Sequence, residues 1–199
     1  MFAILSRQIK EPNDKNMTTS FYTEKELTQI GFKEVGKNVL ISRYAQFYGA
    51  SDMIIGNNVR IDDFCILSGK IKLGSYIHIS AYNALYGKFG IEMEDYTGLS
   101  PRCTLFSATD DFSGEYLIGP TIDSKYTNVT GGKIIIKKYS QLGSNCVVLP
   151  EVTIEEGVAV GAMSLINKNL SGWGIYKGIP AKLHSKRSNK LLNLLINEY

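Results

Sequence analysis

An all-β chain wound as a parallel β-helix of about six triangular coils is the fold class this sequence predicts. Three observations carry it. An aliphatic or aromatic residue recurs at every sixth position in sets of three, from Val35, Ile41 and Phe47 to Ile154, Val160 and Ile166. The residue after this marker is often glycine or acidic, as at Gly56, Asp62, Gly74 and Gly161. The fifth position of the unit is usually small or aliphatic, as at Val39, Ala45, Cys65, Thr97 and Ser164.

A six-residue unit is one short strand plus a corner, and three units close a triangle. Equivalent sets are 18 residues apart, or 20 where a short turn is inserted. Every marker then points into a prism-shaped core, and small residues fit the crowded corners. At an inter-strand spacing of about 4.8 Å, six coils make a prism roughly 29 Å long. Neither a doubly wound α/β fold nor a sandwich produces this period.

In chain order, residues 1–34 form an N-terminal segment. Its opening "MFAILSRQIK" has an apolar run too short for a signal peptide, and Met17 is an alternative start. "FYTEKELTQIGF", residues 21–32, reads as a short helix with a glycine stop that caps the first coil. The prism spans 35–170, interrupted by an excursion at 106–133, too long for a coil corner; long structureless excursions are usually functional. Residues 171–199 form an exit segment, in which "SKRSNKLLNLLINEY" reads as an amphipathic helix carrying Leu191, Leu192, Leu194, Leu195 and Ile196. That helix is placed to cap the last coil or to pack on a neighbouring subunit.

Composition bounds the rest. A chain of 199 residues with 44% hydrophobic and 21% charged residues suits one globular domain. A formal charge of +3 gives no argument for nucleic acid, and no stretch approaches a membrane span. The cysteines Cys65, Cys103 and Cys146 are odd in number and without a CxxC pair, the plain reading being a reduced, cytoplasmic protein. All of them fall at the fifth position, which makes them packing residues.

The period resembles the hexapeptide-repeat family over about Gly31 to Lys186. That resemblance implies a left-handed helix, whereas the general rule for parallel crossovers favours the opposite hand. The segment "VAVGAMSLINKNLSGWGIYKGIPAK" further resembles the closing signature of the galactoside, maltose and xenobiotic acetyltransferases. It implies acetyl-CoA as co-substrate, no metal, and a homotrimer whose subunits share the CoA groove. Carried over by position, Ser144 would contact the pantetheine arm and Gly161 and Ala162 would offer it backbone groups. Lys168 and Lys182 match basic positions near the CoA phosphates. The alternative is that Gly161, Ala162 and Ser164 are corner residues and nothing more.

The acceptor end departs from the family. Its sugar O-acetyltransferases keep a catalytic histidine in the excursion; here the segment is "SATDDFSGEYL", with Asp110 and Asp111 and no histidine. His184 lies in a basic run and reads as solvent-exposed. His78, at a corner before Ile79, aligns with Ser80 on positions that line the acceptor pocket; a corner histidine bonded to a neighbouring coil is the alternative. Tyr82 and Tyr86 are placed either to stack on a sugar or nucleobase or to pack. Two histidines cannot supply the three zinc ligands of a β-helix carbonic anhydrase.

A sugar hydroxyl needs a true general base, whereas an amine only has to lose its ammonium proton. Aspartates in place of histidine therefore favour an amine, which a carboxylate also pairs with. "LFSATDDFSGEYLIGPTIDSKYTNV" with "HISAYNALYG" resembles bacterial acetyltransferases of dTDP-4-amino-4,6-dideoxyglucose in O-antigen synthesis. The expectation is an N-acetyltransferase for a nucleotide-linked amino sugar, with His78 as base and Asp110 or Asp111 orienting the amine. The alternatives are an O-acetyltransferase of a sugar or glycan using the same cleft, and a non-catalytic β-helix scaffold.

Overall fold

The structure, a computed structural model, describes residues 19–195. The opening apolar run, Met17 and Ile196 lie outside the described residues. The expected prism is present: stacked parallel strands build three faces around one apolar core. The first face stacks Glu34–Val35, Ile54–Ile55, Ile134–Ile136 and Thr153–Ile154 with the ends of two longer strands. The second stacks Leu40–Ile41, Val59–Ile61, Ile77–Ile79, Gly98–Leu99, Gln141–Leu142, Ala159–Val160 and Gly174–Lys177. The third includes Gln46–Tyr48, Thr104–Phe106, Val147–Val148 and Leu165–Ile166. Strands Ile66–Leu73 and Ala84–Met93 run unbroken round the corner from the third face into the first.

Of the marker residues, all but Val35 and Phe47 are buried, and both exceptions belong to the first coil. That coil has no neighbour above it; Val35 borders an open cavity beneath the helix, and Phe47 packs edge-on against Phe32 at 4.9 Å. Stacking continues one step past the expected end: Tyr176 lies in register with Val160, so a seventh, partial turn follows Ile166.

The fifth-position residues are buried at the corners as their size requires. Burial pushes the Cys65 thiol up to about 11. All three cysteines are free and inaccessible. Iodoacetamide at pH 8 is therefore expected to modify none of them in the native protein and all three after denaturation, read by mass spectrometry.

What the repeat does not reveal is how the corners turn. In most of them one residue takes a left-handed backbone, and many of these are large: Phe64 (φ 60°), Tyr76 (59°), Tyr82 (63°), Tyr96 (58°), Tyr139 (63°) and Trp173 (54°). Such a conformation is costly for a bulky residue. It points the rings outward, where they stack along the prism, with Trp173 reaching past Gly157 to Tyr139. Tyr76 stacks on Tyr96 at 4.6 Å, Tyr96 on Tyr139 at 5.5 Å, and Tyr139 on Trp173 at 6.4 Å. Along the next edge Phe64 stacks on Tyr82 at 5.0 Å, and Arg102 lies over Tyr82 at 5.5 Å. Ring stacking offsets the backbone strain.

The N-terminal helix is Glu24–Ile30, with Thr23 and Glu26 forming a capping box and Gly31 (φ 83°) ending it. Glu26 also takes two hydrogen bonds from Arg43, each 2.7 Å, tying the helix to the first coil. Arg43, then Thr23, hold the Glu26 carboxyl down to about 2. A depressed folded pKa means that this stabilisation is fully present above the ordinary glutamate value and fades as pH falls towards 2. Glu26→Gln is thus expected to lower the denaturation midpoint at pH 7, and the gap to the parent should close between pH 4.5 and 2.

At the other end only Ser185 and Lys186 of the expected helix fall in a strand. Lys182–Lys186 pairs antiparallel with Gly174–Lys177, and the described helix is only Leu192–Leu195. The open edge of the last coil supplies backbone partners that a helix would leave unused. Arg187 then pins the chain: its guanidinium donates to the carbonyls of Tyr139, Gly157 and Val158 at 2.7, 3.0 and 3.3 Å.

Candidate active site

The edge between the second and third faces gathers five of the eleven expected site residues, Ser80, Tyr82, Ser144, Gly161 and Ala162. Parallel stacking sets Asp62, Ser80, Ser100, Gly143 and Gly161 in one column. Their N–H groups donate across the coils to the carbonyls of Ile79, Leu99, Leu142, Val160 and Tyr176, at 2.8–3.0 Å. Ser144 and Ala162 follow by one residue, and Tyr82 by two. Gly143 is required here, since a Cβ would stand 2.6 Å from the backbone nitrogen of Ala162.

Both backbone groups of Gly161 are already used: the N–H binds Tyr176, and the carbonyl accepts from Ser164 Oγ at 2.8 Å. No described residue accepts the N–H of Ser144 or of Ala162, nor engages Ser144 Oγ. Two free amides in adjacent coils on one edge can receive carbonyls of an extended, amide-bearing chain. Lys182, in register with Lys177, stands at the foot of the second face. Lys168 lies beyond Ile166 on a different edge, so one chain does not bring these two lysines together. Lys177 was not singled out from sequence; it follows Tyr176, whose 16-residue spacing from Val160 hides the seventh turn.

His78 is not at a corner. It points outward from the middle of the strand Ile77–Ile79 on the second face, because the residue before an inward marker must face out. Its Nε2 lies 2.8 Å from Asp62 Oδ2, and Asp62 Oδ1 accepts from Arg60 Nε at 2.7 Å. Burial works to raise the Asp62 carboxyl, but hydrogen bonds from Arg60 and His78 outweigh it and hold it below the usual range. An aspartate bound to one ring nitrogen leaves the other nitrogen to act as a base. Asp62 is a partner that sequence reading missed, although its spacing of 16 from His78 is close to one coil. The Ser80 carbonyl accepts from Asn83 Nδ2 at 2.6 Å, and Ser100 Oγ accepts from Gln141 Nε2 at 3.3 Å. His184 is exposed.

The excursion leaves the prism after Phe106 at the edge between the third and first faces, and the coil resumes with Ile134. Its neck is a two-stranded antiparallel pair, Ala108–Thr109 with Thr130–Gly131. At its base lies a cavity of about 560 Å³, a size ordinary for small-molecule sites. Asp110 and Asp111 border it together with Phe106, Ile118, Leu149 and Pro150. Tyr86 stacks on Phe106 at 5.3 Å, so its ring buttresses the cavity.

The two aspartates differ. Asp111 closes its own turn, accepting from Ser113 Oγ at 2.9 Å and from Gly114 N–H at 2.9 Å. Partial burial opposes, but these bonds hold its carboxyl below the usual range. The Asp110 carboxylate has no hydrogen bond or ion pair with any described residue. Within one chain the excursion and His78 occupy different edges and faces, so the Asp pair and the histidine are not brought together. No group of three metal-ligating side chains occurs among the described residues, and no described helix is long and apolar enough to cross a membrane.

A β-helical prism with one excursion, and with free amides at Ser144 and Ala162 in adjacent coils of one edge, fits one class: the β-helix acyltransferases. No protein-family model matches the chain. The dTDP-4-amino-4,6-dideoxy-D-glucose acyltransferase of Escherichia coli is 42% identical over 178 residues, 88% of this chain and 93% of that protein. A variant of AntD, an N-acyltransferase from Bacillus cereus solved with dTDP-4-amino-4,6-dideoxyglucose and coenzyme A, is 50% identical with a TM-score of 0.88, covering 91% and 97% of the two chains. A hexapeptide-repeat acetyltransferase from Vibrio cholerae, at 15% identity and TM-score 0.58 over 83% of this chain and 80% of that one, shares the fold alone. The chain belongs to the family of dTDP-4-amino-4,6-dideoxyglucose acyltransferases.

Proposed function

We propose that this chain is an acetyl-CoA-dependent N-acetyltransferase of a nucleotide-linked amino sugar of the dTDP-4-amino-4,6-dideoxyglucose type. It works in the cytoplasm and serves a surface polysaccharide such as O-antigen. The observation that carries the reading is the unpartnered Asp110 carboxylate beside a cavity in the excursion, where sugar O-acetyltransferases keep a histidine.

The neutral amine attacks the thioester carbonyl directly, giving a tetrahedral intermediate that expels the CoA thiolate; the proton lost by nitrogen ends on the departing sulfur. Asp110 orients the amine, Asp111 shapes the turn that presents it, and His78 is the first candidate for the group that carries the proton. Ser80, Tyr82 and Tyr86 lie along the acceptor path. Ser144, Gly161 and Ala162 follow the pantetheine arm, whose phosphates meet Lys168 and Lys182 as point charges. Separation of His78 from Asp110, and of Lys168 from Lys182, within one chain supports a site shared between subunits of a homotrimer. Sedimentation equilibrium giving a monomer mass would remove that assembly.

The Asp62–His78 pair favours a second reading, O-acetyl transfer, because it is the base a hydroxyl acceptor needs. Thioester loss measured with the amino sugar nucleotide and with its hydroxy counterpart separates the two. Turnover of the amine alone is expected. Turnover of the hydroxy sugar alone sinks the substrate class, and an unchanged rate in His78→Ala removes His78 from the chemistry.

A further inference from the structure

The cavity at the base of the excursion has two unlike walls. One is Asp110, a carboxylate that no described residue engages. The other is apolar: Phe106, Ala108, Phe112, Ile118, Leu149 and Pro150 present only carbon side chains. Of the remaining polar side chains, Thr109 donates to the Asp110 carbonyl at 3.1 Å and Asp111 is bound in its own turn. Leu149 is fixed where it stands, since its N–H donates to Ile166 at 2.9 Å and Val148 before it lies in register with Leu105.

From this pairing we infer that the cavity selects the 6-deoxy carbon of the acceptor, with Leu149 and Pro150 as its specificity-determining residues. The inference rests on the N-acetyltransferase reading and on Asp110 as the group that meets the amine. In a 4-amino-4,6-dideoxyhexose the amine is on C4 and the methyl hangs from C5, the next ring carbon. A site that holds the amine on Asp110 therefore sets the methyl beside the neighbouring wall. There a methyl buries favourably, whereas a 6-hydroxyl would lose its water and find no partner.

An apolar pocket discriminates against an added hydroxyl by at most about 100-fold. The native enzyme is thus expected to acetylate dTDP-4-amino-4,6-dideoxyglucose with a kcat/KM about 10- to 100-fold above that for dTDP-4-amino-4-deoxyglucose. Leu149→Thr, which supplies a hydroxyl partner at the wall, should narrow that ratio, mainly by raising kcat/KM for the 6-hydroxy sugar. Equal turnover of the two sugars by the native enzyme overturns the inference and leaves the N-acetyltransferase reading standing. A preference that neither Leu149→Thr nor Pro150→Ser changes overturns the assignment to this wall. If neither amino sugar is acetylated, both fall.

Discussion

Asp110→Asn lowers kcat/KM for the amino sugar nucleotide by about 10- to 100-fold, the loss expected for one hydrogen bond to a charged partner. Its melting temperature should stay at the parent's value, because the Asp110 carboxylate holds nothing else in the described chain. Asp111→Asn is the opposite case. It weakens the bonds to Ser113 Oγ and Gly114 N–H, so its signature is faster proteolysis within residues 110–118. The comparison is informative because two neighbouring aspartates are otherwise indistinguishable. Steady-state kinetics in which Asp111→Asn costs more than Asp110→Asn, with the excursion still resistant to protease, would falsify the division of roles.

The second large effect is on stability. Gly56 has an ordinary backbone, yet a Cβ there would stand 2.5 Å from the backbone carbon of Gly74 in the next coil. Coils stacked at strand spacing cannot part at one corner without breaking ladder bonds on both sides. Gly56→Ala is expected to cost on the order of 3 kcal/mol, as overpacking against backbone does. Gly114 is the converse: nothing lies within 4 Å of its Cβ position, but its φ is +86°. Gly114→Ala should cost only about 1 kcal/mol, from backbone strain alone. Urea denaturation of both variants checks the order. A Gly56→Ala midpoint equal to the parent's would mean that the coils can move apart there.

The prism was legible because a six-residue period constrains every unit to put a residue inward, and burial of the markers from Ile55 to Ile166 follows from that alone. The ends were not legible, since a terminal coil lacks a neighbour to fix its pattern. Val35 is consequently exposed, and the turn closed by Tyr176 went unseen behind its shorter spacing. In "KLHSK" the basic run suggested only a solvent-exposed stretch, whereas the open sheet edge makes it a strand. Within the site, Ser144, Gly161 and Ala162 share one edge because equivalent corners must stack. The period could not separate Asp110 from Asp111, or find Asp62 beneath His78. Those depend on where side chains turn once the backbone is set.

The ladder of corner rings also makes the molecule its own spectroscopic gauge. Trp173 is the only tryptophan in the sequence, and it stands at the end of a column of tyrosines one coil apart. Light absorbed by Tyr76, Tyr96 or Tyr139 can pass down that column and leave as indole emission. Excitation transfer therefore survives only while those coils stay in register. Followed during denaturation, the ratio of tyrosine-excited to directly excited emission reports whether the turns come apart together or peel away from the C-terminal end.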